Sequence, residues 1–233
     1  TGAFVLINAG HERPPPSDNL LVTVAWLYGT EATYALEGSI FSSGDTIRWL
    51  RDGLGIISRT ADVESLSMTC ENSGGVYLIP AFSGLGAPYW DMYARGTIVG
   101  LTQSTNRAHI VRAALEASAF QTRDVMEAMV DQTGLPFSSL RVDGGGTENA
   151  LLMQFQADIL GAQVETAAIG ESTALGAAYL AGLAVGLWSG PEEVEKLHQI
   201  GKTFTPTMDT KHRQKLCSGW ARAVERARKW VEE

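Results

Sequence analysis

The sequence predicts an α/β fold, a mixed sheet flanked by helices, and three observations carry that prediction. Short apolar or β-branched runs separated by turn chemistry crowd the first forty residues. Helical periodicity dominates after them, and a strand ending in three glycines opens a helix near residue 145. With 233 residues, 45% hydrophobic and 19% charged, the chain can bury one sizeable core.

Gly2 to Ala9, Leu20 to Tyr28 and Thr33 to Glu37 read as consecutive antiparallel strands, the first two joined by the proline-stiffened loop His11 to Asn19. A helix is expected over Ser43 to Arg51, with strands over Val76 to Pro80 and Thr97 to Leu101. A long helix then runs from about His109 to Gln132, with Val111, Leu115, Ser118, Thr122, Val125 and Met129 as its inward stripe. Arg112 with Glu116, and Arg123 with Glu127, stand four apart and read as ion pairs on a solvated face. Leu140 to Asp143, Thr147 to Leu160 and Gln163 to Thr166 make a βαβ unit, followed by an apolar helix from Ser172. Pro191 to Gln199 reads as a short helix and Asp209 to Glu232 as a charged one that docks through Trp220 and Trp230. No repeat or linker interrupts this order, so the expectation is one domain over residues 1–233, with 190–233 as a helical tail. Antiparallel strands first and βα units last is the pattern of the actin-like ATPase (ribonuclease H-like) fold.

Composition removes several functions. A formal charge of −8 opposes binding to a phosphate backbone, which gains affinity from Lys and Arg replacing counterions, so no nucleic-acid partner is expected. Cys70 and Cys217 lack metal-ligand spacing and fit reduced thiols in a cytoplasmic protein. His11, His109, His198 and His212 are scattered, so no metal site is expected. Ser172 to Trp188 is apolar and contains Gly182-x-x-x-Gly186, but falls short of the roughly 20 residues needed to cross a bilayer; a core helix and no membrane partner are expected. The chain opens at Thr1 without Met or a signal-peptide pattern, which suggests a piece of a longer protein.

Leu140 to Asn149 is the stretch richest in chemistry. Gly144-Gly145-Gly146 lets backbone approach a ligand, while the N–H groups and dipole of the following helix favour phosphate. Asn149 could offer its amide to a ribose or base edge. A tight βα turn with Asn149 in solvent explains the same residues, and these ten alone leave both readings open. A dinucleotide reading competes, because Gly144-x-Gly146 follows a strand and the acidic Glu165 lies about 20 residues on. Asn149 replaces its third glycine, and the unit comes late in the chain. No GxxxxGK[ST] sequence is present, which removes a P-loop enzyme. The glycine-rich, aromatic run Pro80 to Asp91 can be a functional loop or a packed one.

Further motifs set these residues in a longer pattern: Tyr34-Ala35-Leu36-Glu37-Gly38, the Pro80 to Asp91 loop, Tyr93-Ala94-Arg95-Gly96, Val142-Asp143-Gly144-Gly145, Leu152-Met153-Gln154-Phe155-Gln156 and Thr173 to Gly182. Gly96-Thr97-Ile98-Val99-Gly100-Leu101, seven residues, then His109 to Glu116 completes a signature. From Tyr34 to Trp188 the chain resembles the FGGY carbohydrate kinases.

That resemblance implies two actin-like lobes with ATP between them, this chain being the second. It implies transfer of the γ-phosphoryl group of ATP, with Mg2+, to a terminal hydroxyl of glycerol or a similar small polyol. Thr1 then lies near the terminal phosphates, Gly44 near the adenosine, Gly145 meets the phosphate chain through its backbone, and Asn149 sits on the adenine side. Phe4 lies against the substrate carbons, and Arg48 stands where some relatives have glutamine beside the nucleotide. The family's catalytic Asp falls upstream of Thr1, so the chain alone is expected to be inactive, with the N-terminal lobe and, at full length, further copies as partners. A dinucleotide oxidoreductase and a non-catalytic actin-like module are the competing classes.

Overall fold

The computed structural model describes residues Gly2 to Glu232, arranged as two compact units: residues 1–136 with 208–233, and residues 137–207.

In the first unit, β1 (Ala3–Gly10), β2 (Leu21–Tyr28) and β3 (Glu31–Ile40) form an antiparallel sheet with β3 in the middle. The turn between β2 and β3 carries Gly29 at φ +60°, a conformation that favours glycine. One face of the sheet lies on α3 (Arg107–Thr133), so closely that a Cβ at Gly38 would run into Val125. α3 has caps at both ends. Asn106 accepts from the Ala108 and His109 N–H groups while His109 accepts from the Asn106 N–H, and Gly134 closes the far end at φ +68°.

Short β4 (Tyr77–Ile79) and β5 (Thr97–Val99) pair antiparallel, and α1 (Gly44–Asp52) and α2 (Asp62–Ser67) pack on α3. α2 carries no long periodic run, which is why the sequence does not reveal it. Its presence corrects the reading of Arg112 and Glu116. Their side chains are 13% and 7% exposed and pair at 2.7 Å, and Arg112 also reaches the Ser67 carbonyl at the end of α2. The pair is buried under α2 instead of lying on a solvated face. Burial pushes the Glu116 carboxyl up, and the Arg112 hydrogen bond and charge oppose it. Arg123 and Glu127 do pair, near the surface. Ser118 and Thr122, expected inward, are half-buried, whereas Ala113, Ala117 and Phe120 are buried, because neighbours cover α3 on more than one side.

α7 (Thr210–Ala227) packs on β4 and β5. Trp220 is buried and stacks on Phe120 at 5.0 Å, as expected of a docking residue. Trp230 is 68% exposed, since α7 ends at Ala227 and the chain leaves the core. Pro80 to Asp91 is a packed loop. Leu85 and Asp91 exchange backbone hydrogen bonds, Ala87 N–H donates to the Ser39 carbonyl of β3, and Asp91 accepts from the Tyr93, Ala94 and Lys229 N–H groups.

In the second unit, β6 (Ser139–Val142) and β7 (Gln163–Ala167) are parallel, joined through α4 (Ala150–Leu160). β8 (Ile200–Phe204) then adds antiparallel to β7, a strand inside the stretch expected to be a helical tail. α5 (Ser172–Ala184) and α6 (Pro191–Glu195) complete the unit. α5 departs from its expected role as a core helix: of its residues only Gly182 is buried, where a Cβ would strike Trp188.

Candidate functional site

In the second unit, β6 delivers the chain to Asp143 and then to Gly144 at φ +95°, a backbone that an L side chain rarely adopts. A 3₁₀ turn follows over Gly145–Glu148, closed by the Thr147 N–H and hydroxyl, both donating to the Gly144 carbonyl. Gly145 differs from Gly144 in kind. Its φ is not in the left-handed region, and among the described residues, its chain neighbours aside, no atom lies within 4 Å of where its Cβ would be. Neither backbone strain nor crowding inside the chain calls for glycine there. A side chain at this position would stand on the open surface of the turn.

The N–H groups of Gly145 and Gly146 open the 3₁₀ turn, where no intrahelical acceptor exists for them. Asn149 ends the turn and caps α4, its side-chain oxygen accepting from the Leu152 N–H at 2.9 Å. It is thus neither simply solvated nor wholly free: the carbonyl end builds the helix start, and the amide NH2 end has no partner among the described residues. N–H groups without a partner among the described residues, a glycine with open space and a helix start together fit an anionic oxygen carrier such as a nucleotide phosphate.

Asp143 closes the turn from below. One carboxylate oxygen accepts from the Gly144 N–H at 2.6 Å and the other from the Ser172 N–H, at the start of α5, also at 2.6 Å. The slight burial of Asp143 pulls its pKa up, but the bonds from Ser172 and Gly144 outweigh that and hold the carboxyl below its ordinary value. Sequence reasoning did not find this contact, because its partners stand 29 residues apart and only folding joins them.

The remaining candidates lie in the first unit. Gly44 is the first residue of α1 and is exposed; Arg48, exposed too, follows one turn later on the same face. Ser43 makes no side-chain cap, and the Asp45 carboxylate instead accepts from the Ser43 N–H at 2.9 Å and the Ser42 hydroxyl at 3.2 Å. Phe4 is 67% exposed on β1, on the sheet face that also shows Leu6 and Leu21. Thr1 lies outside the described residues. Among the described residues, no group of three or more His, Cys, Asp or Glu side chains could hold a metal ion, and no helix is long and apolar enough to cross a membrane.

The dinucleotide reading finds no support in the geometry. Glu165 lies on β7 directly across from Arg141 on β6 and pairs with it at 3.5 Å, so its carboxylate is engaged within the sheet. β8 then runs antiparallel where a dinucleotide-binding sheet would add a parallel strand.

Comparison with known proteins agrees. The model of the C-terminal domain of the FGGY family of carbohydrate kinases matches residues 1–185. A glycerol kinase of Thermoanaerobacter pseudethanolicus is 55% identical over 233 residues, covering 100% of this chain and 47% of that protein. One from Nitratidesulfovibrio vulgaris is 53% identical with the same coverage. Among solved structures, Plasmodium falciparum glycerol kinase with ADP superposes with a TM-score of 0.90 at 38% identity, covering 100% of this chain and 46% of that one. Gluconate kinase from Lactobacillus acidophilus shares the fold, with a TM-score of 0.79 at 24% identity over 95% of this chain and 45% of that one. The chain therefore spans about half the length of the curated relatives it matches.

Proposed function

This chain belongs to the FGGY family of carbohydrate kinases, and we propose that it forms the nucleotide-binding half of a glycerol kinase, which transfers the γ-phosphoryl group of ATP to glycerol. The observation that carries the reading is Gly145: an exposed glycine that no described neighbour crowds, whose N–H group, with that of Gly146, has no partner among the described residues at a helix start. A phosphate oxygen occupies that space without distorting the turn, and a side chain there would exclude it.

Within this reading, Gly145 and Gly146 bind a phosphate through backbone N–H groups, and the free NH2 of Asn149 reaches toward the adenosine. The likeness to the family further assigns Gly44 and Arg48 to the nucleotide, Thr1 to its terminal phosphates and Phe4 to the carbons of glycerol. Mg2+ bound to the nucleotide would supply charge neutralisation on its phosphates. Phosphoryl transfer depends on holding the hydroxyl and the phosphate in line, with little covalent work for the protein. The base that receives the hydroxyl proton belongs to the N-terminal lobe, as does most of the polar glycerol pocket. Loss of a general base alone costs about 10²- to 10⁴-fold in rate, so this chain by itself is inactive. Cytoplasmic location and assembly of the full-length enzyme into oligomers belong to the same reading.

Calorimetric titration with MgATP and, separately, with NAD tests it. Binding of MgATP at millimolar or tighter, about −4 kcal/mol or better, weakened by Gly145→Val and Asn149→Ala, is the expected result. Binding of NAD but not ATP would overturn the proposal, as would glycerol phosphorylation by the isolated chain at the rate of an intact kinase.

A further inference from the structure

We propose that Asp143 is a positioning residue for the nucleotide: its carboxylate locks the glycine turn to the start of α5 and determines which N–H groups of the turn face the phosphate. The inference rests on the nucleotide reading of the turn and adds to it a residue that makes no contact with the ligand.

The geometry divides the labour of the two carboxylate oxygens. One takes the Gly144 N–H at 2.6 Å; the other takes the Ser172 N–H at 2.6 Å, across 29 residues of sequence. The Gly144 N–H is thereby withdrawn from any ligand, and those of Gly145 and Gly146 remain. At the other end of the bridge, the N-cap residue of α5, Glu171, makes no side-chain cap bond, so Asp143, just past the end of β6, supplies the acceptor that the helix start lacks. Gly144, at φ +95°, has open space on the side where a Cβ would stand, so crowding does not hold the turn in place there. The carboxylate does.

A negative charge beside a phosphate site repels the ligand, which sharpens the test. If repulsion outweighs positioning, removing the charge tightens binding. If positioning dominates, removing it loosens binding even though a repelling charge has gone. Asp143→Asn keeps the size and one acceptor oxygen but can satisfy only one of the two N–H groups; Asp143→Ala satisfies neither.

The experiment compares parent chain, Asp143→Asn and Asp143→Ala in calorimetric titration with MgADP and in amide hydrogen exchange. Asp143→Ala should weaken MgADP by about tenfold or more, with Asp143→Asn between it and the parent. Exchange should quicken at Gly144 to Asn149 and at Ser172 to Leu175, while the amides of α3 keep their protection. A merely structural loss would quicken exchange throughout and leave affinity intact below the melting transition. Unchanged or tighter binding by Asp143→Ala overturns the inference alone. A parent chain that does not bind MgADP overturns the nucleotide reading and this inference with it.

Discussion

α3 and α5 invert the usual relation between composition and burial. α3 carries charged residues along its length, yet it encloses Glu116 and Asp124, because α2, the strands and Trp220 of α7 cover it on several sides. α5 is mostly Ala, Leu and Gly and carries no charge, yet all but Gly182 reach solvent to some degree. The lesson is that neighbours, more than the composition of a helix, decide what it buries. A contiguous apolar surface on a folded protein marks a place of contact. α5 in one unit, and Phe4, Leu6 and Leu21 in the other, are such surfaces.

The strongest way to break this contrast is to leave a buried charge of α3 alone. Arg112→Met strands the Glu116 carboxylate under α2, and urea unfolding should show a loss of about 3–5 kcal/mol. The double variant Arg112→Met with Glu116→Leu should recover most of it, since an apolar pair needs no compensation. A single-variant loss under about 1 kcal/mol would mean that the pair behaves as an exposed one.

Asp124 gives the next effect, and it depends on pH. One of its oxygens accepts from both the Tyr89 hydroxyl at 2.8 Å and the Trp220 indole N–H at 2.6 Å. Burial pushes its pKa up to about 6 against those two bonds and the charge of Arg123, and Glu127 adds to the rise. Arg228 lies over the Tyr89 ring, and Cys217 feels the Asp124 charge. A carboxyl raised on folding favours the native state while protonated. Its contribution is therefore full below about pH 4 and is lost as pH rises through about 6, on the order of 3 kcal/mol at most. Asp124→Asn keeps the twofold acceptor and removes the charge. Its stability measured against the parent should rise over that window and level off above it; a relative fall would contradict the assignment.

The smallest effect is expected on α5. Leu180→Ser on this exposed helix should change the stability of the chain by no more than about 0.5 kcal/mol. A larger loss would show that α5 is packed after all.

These differences also measure what the sequence discloses. Strands, long helices and the glycine turn are legible because each is a local pattern: β-branched runs, a helical period, three glycines between strand and helix. β1, α3 and the β6–α4–β7 unit appear close to where periodicity puts them. What escapes is relational. α2 and β8 are short, and β8 exists because β7 offers an edge to pair with. The burial of Arg112 follows from α2, and the exposure of Trp230 follows from where α7 stops. In the candidate site, Gly145 and Asn149 are visible from the turn, whereas the bridge from Asp143 to Ser172 needs the fold to close it.

The central claim is that the glycine turn of the second unit receives the nucleotide phosphates. Its most direct test is to follow the backbone amide resonances of the chain during titration with MgADP. The account predicts the largest shifts at Gly144 to Leu152, led by Gly145 and Gly146. Saturable binding that leaves the Gly144 to Asn149 amides unmoved would contradict it.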